Sequence, residues 1–259
     1  EDGGGVRRDW ITRIAAEVFD PRRALFLPAT GPGGVATGML TLNPAPELLH
    51  GPVPLAMHRF VGRVIGLALR QGQPLAVSLA PALVKYLVDE PVGLSDLAAE
   101  DSDEADRLRK VSFAAECGAE SEKCWLEGLT FAVPSAQARL GIPLGYPPAK
   151  LSRVESRVGD NEMTEQVTGE TAAAYIDAVI RWRLVGERQE LLDQVRHGVW
   201  DTVSRESLVG RWQTSTAIAA ALQGETEVNV ADWRRHTRLE GWDKVIAREA
   251  RGRVGDEGA

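Results

Sequence analysis

Apolar residues recur at helical spacing through Phe60, Val61, Val64, Ile65, Ala68 and Leu69, which predicts an amphipathic helix over residues 55–71. Gly62 and Gly66 lie one turn apart on it, leaving room for a second backbone to approach closely. Arg63 falls between them. A charge in that position is expected to be buried between helices, paired with a carboxylate or a helix C-terminus. Gly72 is placed to cap the end. The same spacing of Ile11, Ile14, Ala15 and Val18 predicts a helix from Trp10 to Phe19, capped by Asp9 and stopped by Asp20-Pro21. Leu25-Phe26-Leu27 and Met39 to Leu42 read as short strands, separated by a loop rich in glycine around Pro32.

Further along, helical segments are expected at 80–89, from Leu94, and through the acidic-then-basic run Asp101, Asp103, Glu104, Asp106, Arg107, Arg109, Lys110. That charge order suits the helix dipole. Leu129 to Val133 reads as a strand. Tyr175, Ile176, Val179, Ile180, Leu184, Leu191, Leu192 and Val195 predict one long amphipathic helix, with Thr168 or Thr171 as N-cap and His197-Gly198 at its end. Leu208-Val209 and Ile218 to Leu222 give further helical pieces, and Val228 to Trp233 a short strand or turn. The sum is an α+β fold, mostly helical with a few short strands.

Composition narrows the function. The 259 residues suffice for one large domain or two small ones, and 44% are hydrophobic. A net charge of −7 argues against nucleic acid and anionic membrane surfaces as partners. No apolar run approaches the roughly 18 residues that span a bilayer, so no membrane insertion is expected. The start carries no signal peptide and begins at Glu1, which reads as a piece of a longer polypeptide. The two cysteines, Cys117 and Cys124, do not make a disulfide scaffold, so a reducing compartment is expected. The four histidines, His50, His58, His197 and His236, are too dispersed for a zinc site. Gly31-Pro32-Gly33-Gly34 lacks the helix and lysine of a phosphate loop.

The run Phe60-Val61-Gly62-Arg63-Val64-Ile65-Gly66 resembles the N-terminal lobe of HECT-type ubiquitin ligases. Other matches follow in the family's order: Ala24-Leu25-Phe26, Leu42-Asn43-Pro44, Gly72-Gln73-Pro74-Leu75, Leu83-Val84-Lys85-Tyr86-Leu87, Pro91 to Leu97, and Val167-Thr168 before Tyr175-Ile176. They end with Gln189, Val195 to Trp200, and Val228-Asn229-Val230-Ala231-Asp232-Trp233-Arg234-Arg235-His236-Thr237. Ala24 stands where the family has glycine. The family's thioester-forming cysteine, in a Thr-Cys-Phe/Leu-Asn context, belongs to a second lobe that does not appear before Ala259. The aromatic pair expected after the Asp-Trp motif is missing too, and Val245-Ile246 leads into a charged tail.

The resemblance implies a HECT N-lobe over 7–259, built from a large helical subdomain and a small one over about 113–223 that docks a ubiquitin-conjugating enzyme, with 243–259 an uncertain tail. It implies transfer of ubiquitin from that enzyme to a cysteine in the missing lobe and then to substrate lysines, substrates being held by regions outside the chain. No cofactor or metal is implied, and no catalytic residue in this chain. By position in the family, Trp212, Val158, Leu151 and Tyr146 are the candidates for an apolar docking groove. The cytoplasm is the expected location, with the nucleus as a second. Cys117 has Glu116 and Glu120 nearby, and Cys124 follows Glu122 and Lys123; acidic neighbours raise a thiol pKa and no histidine lies close in sequence, so neither is expected to act as nucleophile. The alternative is a non-catalytic interaction module that keeps the lobe fold.

Overall fold

A computed structural model describes residues 5–46, 55–117, 125–133, 149–150, 166–224 and 230–236. Helix α1 (Gly5–Val18) leads into strands β1 (Phe26–Thr30) and β2 (Ala36–Leu42), then helix α2 (Leu55–Gln71). Strand β3 (Ser78–Leu79) and helices α3 (Pro81–Leu87), α4 (Leu94–Glu100) and α5 (Ser102–Cys117) follow. A second small ladder, β4 (Ala132–Val133) with β5 (Ala149–Lys150), precedes α6 (Ala172–Leu184), α7 (Gln189–Trp200), α8 (Arg205–Arg211) and α9 (Ser215–Gln223). Residues 225–259 form a separate unit, in which α10 (Val230–His236) is described. The fold is α+β and mostly helical, as expected.

In the three-stranded sheet β2 is central. It pairs antiparallel with β1, in the register Phe26 to Leu42, and parallel with β3, in the register Met39 to Ser78. Pro28 is tolerated because β1 is an edge strand. Two cores lie in the first unit. The larger gathers Ile11, Phe26, Leu42, Ile65, Leu69, Leu192 and Val199, among others. The smaller gathers Leu97, Leu108, Val111, Phe131, Tyr175 and Leu184. Each fully buried aliphatic side chain contributes roughly 1.5–3 kcal/mol relative to exposure.

The larger core is organised by the crossing of α2 and α7. A Cβ on Gly62 would overlap the Val195 carbonyl oxygen and come within 2.9 Å of the Gly198 Cα. One on Gly66 would lie 2.9 Å from the Val199 carbonyl oxygen. One on Gly198 would overlap the Arg59 carbonyl oxygen. The close approach read from Gly62 and Gly66 is therefore real, and α7 is the partner. Gly198 does not end a helix as expected; it sits inside α7 at the point of contact.

Other expectations change in physical terms. Arg63 pairs with a carboxylate at a helix C-terminus, but it is not buried: its side chain is 52% exposed and its Nε donates to Asp201 Oδ2 at 2.7 Å. Asp201 caps α7 and also receives Arg59 through two bonds of 2.9 and 2.7 Å. Asp9 is not an N-cap, because α1 starts earlier, at Gly5; its carboxylate pairs with Arg13 one turn on. Thr171 occupies the N-cap position of α6 without a side-chain capping bond. Of the stretch Val228 to Trp233, where a strand or turn is expected, the described residues from Val230 onward are helical, in α10.

The long helix expected from Ala172 to Val195 is two helices. Val185 leaves helical geometry (φ −128°, ψ −55°), and Gly186 to Arg188 form a 3-10 turn. A side chain at Gly186 would meet the Trp182 indole at 2.6 Å. The break lets α6 face the smaller core while α7 faces the larger one. It also buries Arg188, whose guanidinium donates to Glu100 Oε2 (2.8 Å), the Leu42 carbonyl (3.0 Å), the Arg183 carbonyl (2.8 Å) and the Thr41 hydroxyl. The Thr41 hydroxyl in turn donates to Glu100 Oε2 at 2.5 Å.

Two outcomes follow. Gly62→Ala should lower stability by about 1–3 kcal/mol in urea denaturation, the cost of overpacking. Gly210→Ala, on an α8 position with open space around it, should leave stability unchanged or raise it by up to about 1 kcal/mol. Second, His58 is fully buried on α2, with neither ring nitrogen hydrogen-bonded among the described residues. Burial lowers its pKa from 6.5 to about 4. Its neutral form is the folded one, so its contribution is intact above pH 6.5 and is lost as pH falls toward about 4. Denaturation midpoints of His58→Leu should fall less across that window than those of the parent.

Candidate functional site

Of the four groove candidates the structure describes one. Tyr146, Leu151 and Val158 lie outside the described residues. Trp212 ends α8: its backbone N–H donates to the Leu208 carbonyl at 3.0 Å. Its ring is partly buried against the larger core, which includes Leu208 and Ile218. The Arg211 guanidinium lies 4.8 Å from the ring centroid, within range of a cation–π contact. Trp212 is thus neither sealed inside nor free: one part packs, another is open beneath a cation.

The same unit presents exposed aromatics that the sequence reading passed over. Phe113 is 64% exposed and Trp125 45%. The Lys110 ammonium sits 5.2 Å from the Trp125 ring centroid. The signal was available: Ala105, Leu108, Val111 and Ala114 form the inward face of α5, and Phe113 falls off that stripe. Cys117, in the last turn of α5, is exposed. Cys124 lies outside the described residues. Among the described residues no cluster of three His, Cys, Asp or Glu side chains is placed to hold a metal ion.

A cleft of about 710 Å³ opens between the end of α3 and the α6–α7 break, walled by Tyr86, Val92, Trp182 and Val185. Its walls are fixed from behind. The Tyr86 hydroxyl donates to Asp193 at 2.7 Å, and the Arg196 guanidinium stands 4.5 Å from the Tyr86 ring centroid. Burial, together with that bond to Asp193, pushes the Tyr86 phenol up to about 12. The Trp182 indole N–H donates to Glu187 at 3.1 Å. Asp89, in the left-handed region (φ 58°), is gripped by Arg196 (3.0 Å) and Arg205 (2.7 Å). Glu90 on the rim accepts the Ser215 N–H (2.8 Å) and hydroxyl (2.6 Å), which hold its carboxyl below the ordinary range.

The profile described as HECT-domain (ubiquitin-transferase) matches residues 12–248. The chain belongs to the HECT family. Relatives carry the same character. E3 ubiquitin-protein ligase NEDD4 of Homo sapiens is 26% identical over 238 residues, covering 92% of this chain and 16% of that protein. E3 ubiquitin-protein ligase RSP5 of Chaetomium thermophilum is 25% identical over 252 residues, covering 95% of this chain and 28% of that protein. E3 ubiquitin-protein ligase ptr1 of Schizosaccharomyces pombe is 34% identical over 102 residues, 39% of this chain and 3% of that protein. The chain spans less than a third of the length of these relatives. No helix among the described residues is long and apolar enough to cross a membrane.

Within the HECT sequence pattern the structure gives the invested residues physical roles. The Gly62-Arg63-x-x-Gly66 segment is the α2 side of the crossing with α7, and Arg63 fastens it to Asp201. Lys85 of the Lys-bearing helix binds Asp96 at 2.8 Å, and Asp96 also accepts the Gly93 N–H at 2.8 Å. Gln189 opens α7. These matches describe how the lobe packs. The docking residues are a separate matter.

Proposed function

We propose that this chain is the part of a HECT-type ubiquitin-protein ligase that receives a ubiquitin-conjugating enzyme. The observation that carries the reading is the family match across residues 12–248 on a mostly helical α+β fold. The chemistry is a relay of acyl transfers. The conjugating enzyme's thioester is attacked by a ligase thiolate, and a substrate lysine amine then attacks the new thioester. Bringing donor and acceptor together supplies much of the acceleration. Cys117 and Cys124 stand outside the Thr-Cys-Phe/Leu-Asn context of the family nucleophile, and neither is proposed as the acceptor thiol. Ubiquitin and substrate are partners of the complete ligase, and the cytoplasm its expected place of work.

The docking subdomain is proposed within about 113–223, with Trp212, Val158, Leu151 and Tyr146 forming the groove. A partly buried tryptophan carrying an arginine on its open face is the side-chain type that dominates interface energies. Exposed Phe113 and Trp125 offer further apolar area at the start of the span.

Trp212→Ala should weaken binding of a conjugating enzyme by about 2 kcal/mol or more in calorimetry. Trp212→Phe, which keeps the packing against the core, serves as the folded control. An unchanged affinity in Trp212→Ala removes the groove assignment. Mixed with ubiquitin-charged conjugating enzyme and run on a non-reducing gel, the chain should show no ubiquitin thioester. A thiol-sensitive adduct lost in Cys117→Ala or Cys124→Ala would overturn the assignment of the nucleophile elsewhere and restore a catalytic role to this chain.

A further inference from the structure

The cleft beside the α6–α7 break has its α6 and α7 wall within the 113–223 span, but it shares no residue with the four assigned to the proposed groove. At about 710 Å³ it falls in the size range of ligand pockets. It exceeds what a single side chain fills. Its walls combine two aromatic rings, Tyr86 and Trp182, with Pro91, Val92, Ala178 and Val185. Burying an apolar group there removes both surfaces from water.

The walls are also pre-set. Tyr86 is tied to Asp193, Trp182 to Glu187, and the turn that carries the rim is held by two arginines on Asp89. Asp89 is a non-glycine residue in the left-handed region, a conformation that persists only where the surroundings impose it. A cavity whose lining is immobilised before a ligand arrives loses less side-chain freedom on binding.

Charge on the rim selects the ligand. Asp177 and Arg181 form an ion pair one turn apart on α6 and answer each other. Glu90 differs. Its partners are the neutral N–H and hydroxyl of Ser215. Nearby Lys85 is committed to Asp96. Among the described residues Glu90 has no cation in contact, and a carboxylate has lone pairs beyond the two that Ser215 uses. The cleft therefore presents an apolar interior with one available anion at its edge, on a chain whose net charge of −7 already favours basic partners in encounter.

We propose that this cleft receives a short basic peptide segment, seating an aliphatic or aromatic side chain between Tyr86 and Trp182 and setting an adjacent lysine or arginine against Glu90. This is a second docking surface, and its failure would leave the conjugating-enzyme reading untouched.

The probe is N-acetyl-leucyl-arginine amide, titrated at millimolar concentration into the isotope-labelled chain and followed by amide and indole resonances. Saturable shifts should centre on the Trp182 indole N–H and the Gly186 and Gln189 backbone amides. N-acetyl-leucyl-glutamate amide should not reproduce them. Glu90→Gln, which still accepts from Ser215, should weaken the arginine probe about threefold to fivefold, the scale of a partly exposed ion pair. Ala178→Leu, which sets a bulkier side chain on the α6 wall one turn from Trp182 and blocks that seat without filling the cleft, should abolish the shifts while the thermal midpoint stays at the parent value. Equal binding of the acidic probe, an unchanged affinity in Glu90→Gln, or shifts that survive in Ala178→Leu would each overturn the proposal. So would the absence of any saturable shift. Phenethylammonium binding as tightly as the peptide would assign the cleft to small amphipathic cations instead.

Discussion

Everything in the larger core depends on two helix backbones being allowed to touch. Side chains ordinarily hold packed helices about 8–10 Å apart. Three glycines, Gly62, Gly66 and Gly198, remove those spacers where α2 meets α7. The surrounding side chains, from Val61 and Ile65 to Val195 and Val199, are then buried together around the contact. The clamp at the edge is electrostatic: Asp201 collects Arg59 and Arg63 from successive turns of α2. Those bonds hold its carboxyl well below the usual range. On an exposed site such pairs fix orientation more than they add stability.

The second organising element is the break at Val185 to Arg188. One continuous helix could not present a face to both cores. The break is stabilised by what it buries. Arg188 satisfies two carbonyls, a hydroxyl and the Glu100 carboxylate, joining β2, α4 and the end of α6 at one point. Removing either charge would strand the other in a dry environment, a change that typically costs about 3–5 kcal/mol. The cleft walled by Tyr86 and Trp182 is a by-product of the same break. Trp182, Val185 and Gly186 line it because the chain turns there.

Much of this was legible in the residues. The apolar period of α2 gave its bounds, and its paired glycines announced a close neighbour. The order of short motifs gave the family. What the sequence concealed was mostly long-range. Nothing local says that Gly198 faces Arg59 across more than a hundred residues, so it read as a terminator. The run from Tyr175 to Val195 keeps helical spacing on both sides of Gly186, and a period alone does not reveal that the two halves serve different cores. Arg63 lay on the boundary of its helix's apolar face, and only the position of Asp201 decided that it would reach outward. Trp212 was placed by its alignment to the family, and the structure supplies its partial burial and its cation. Phe113 lies off the inward stripe of α5, so its exposure was readable from the sequence.

The four-residue break also acts as a phase-setter. Each residue added or removed between α6 and α7 would rotate the second helix by about 100° about its own axis. Gly198 would swing away from Arg59, and a branched side chain such as Val195 or Val199 would be driven into the α2 backbone. Here the count of residues is itself part of the packing, and it constrains the segment alongside the identities of Gly186 and Arg188.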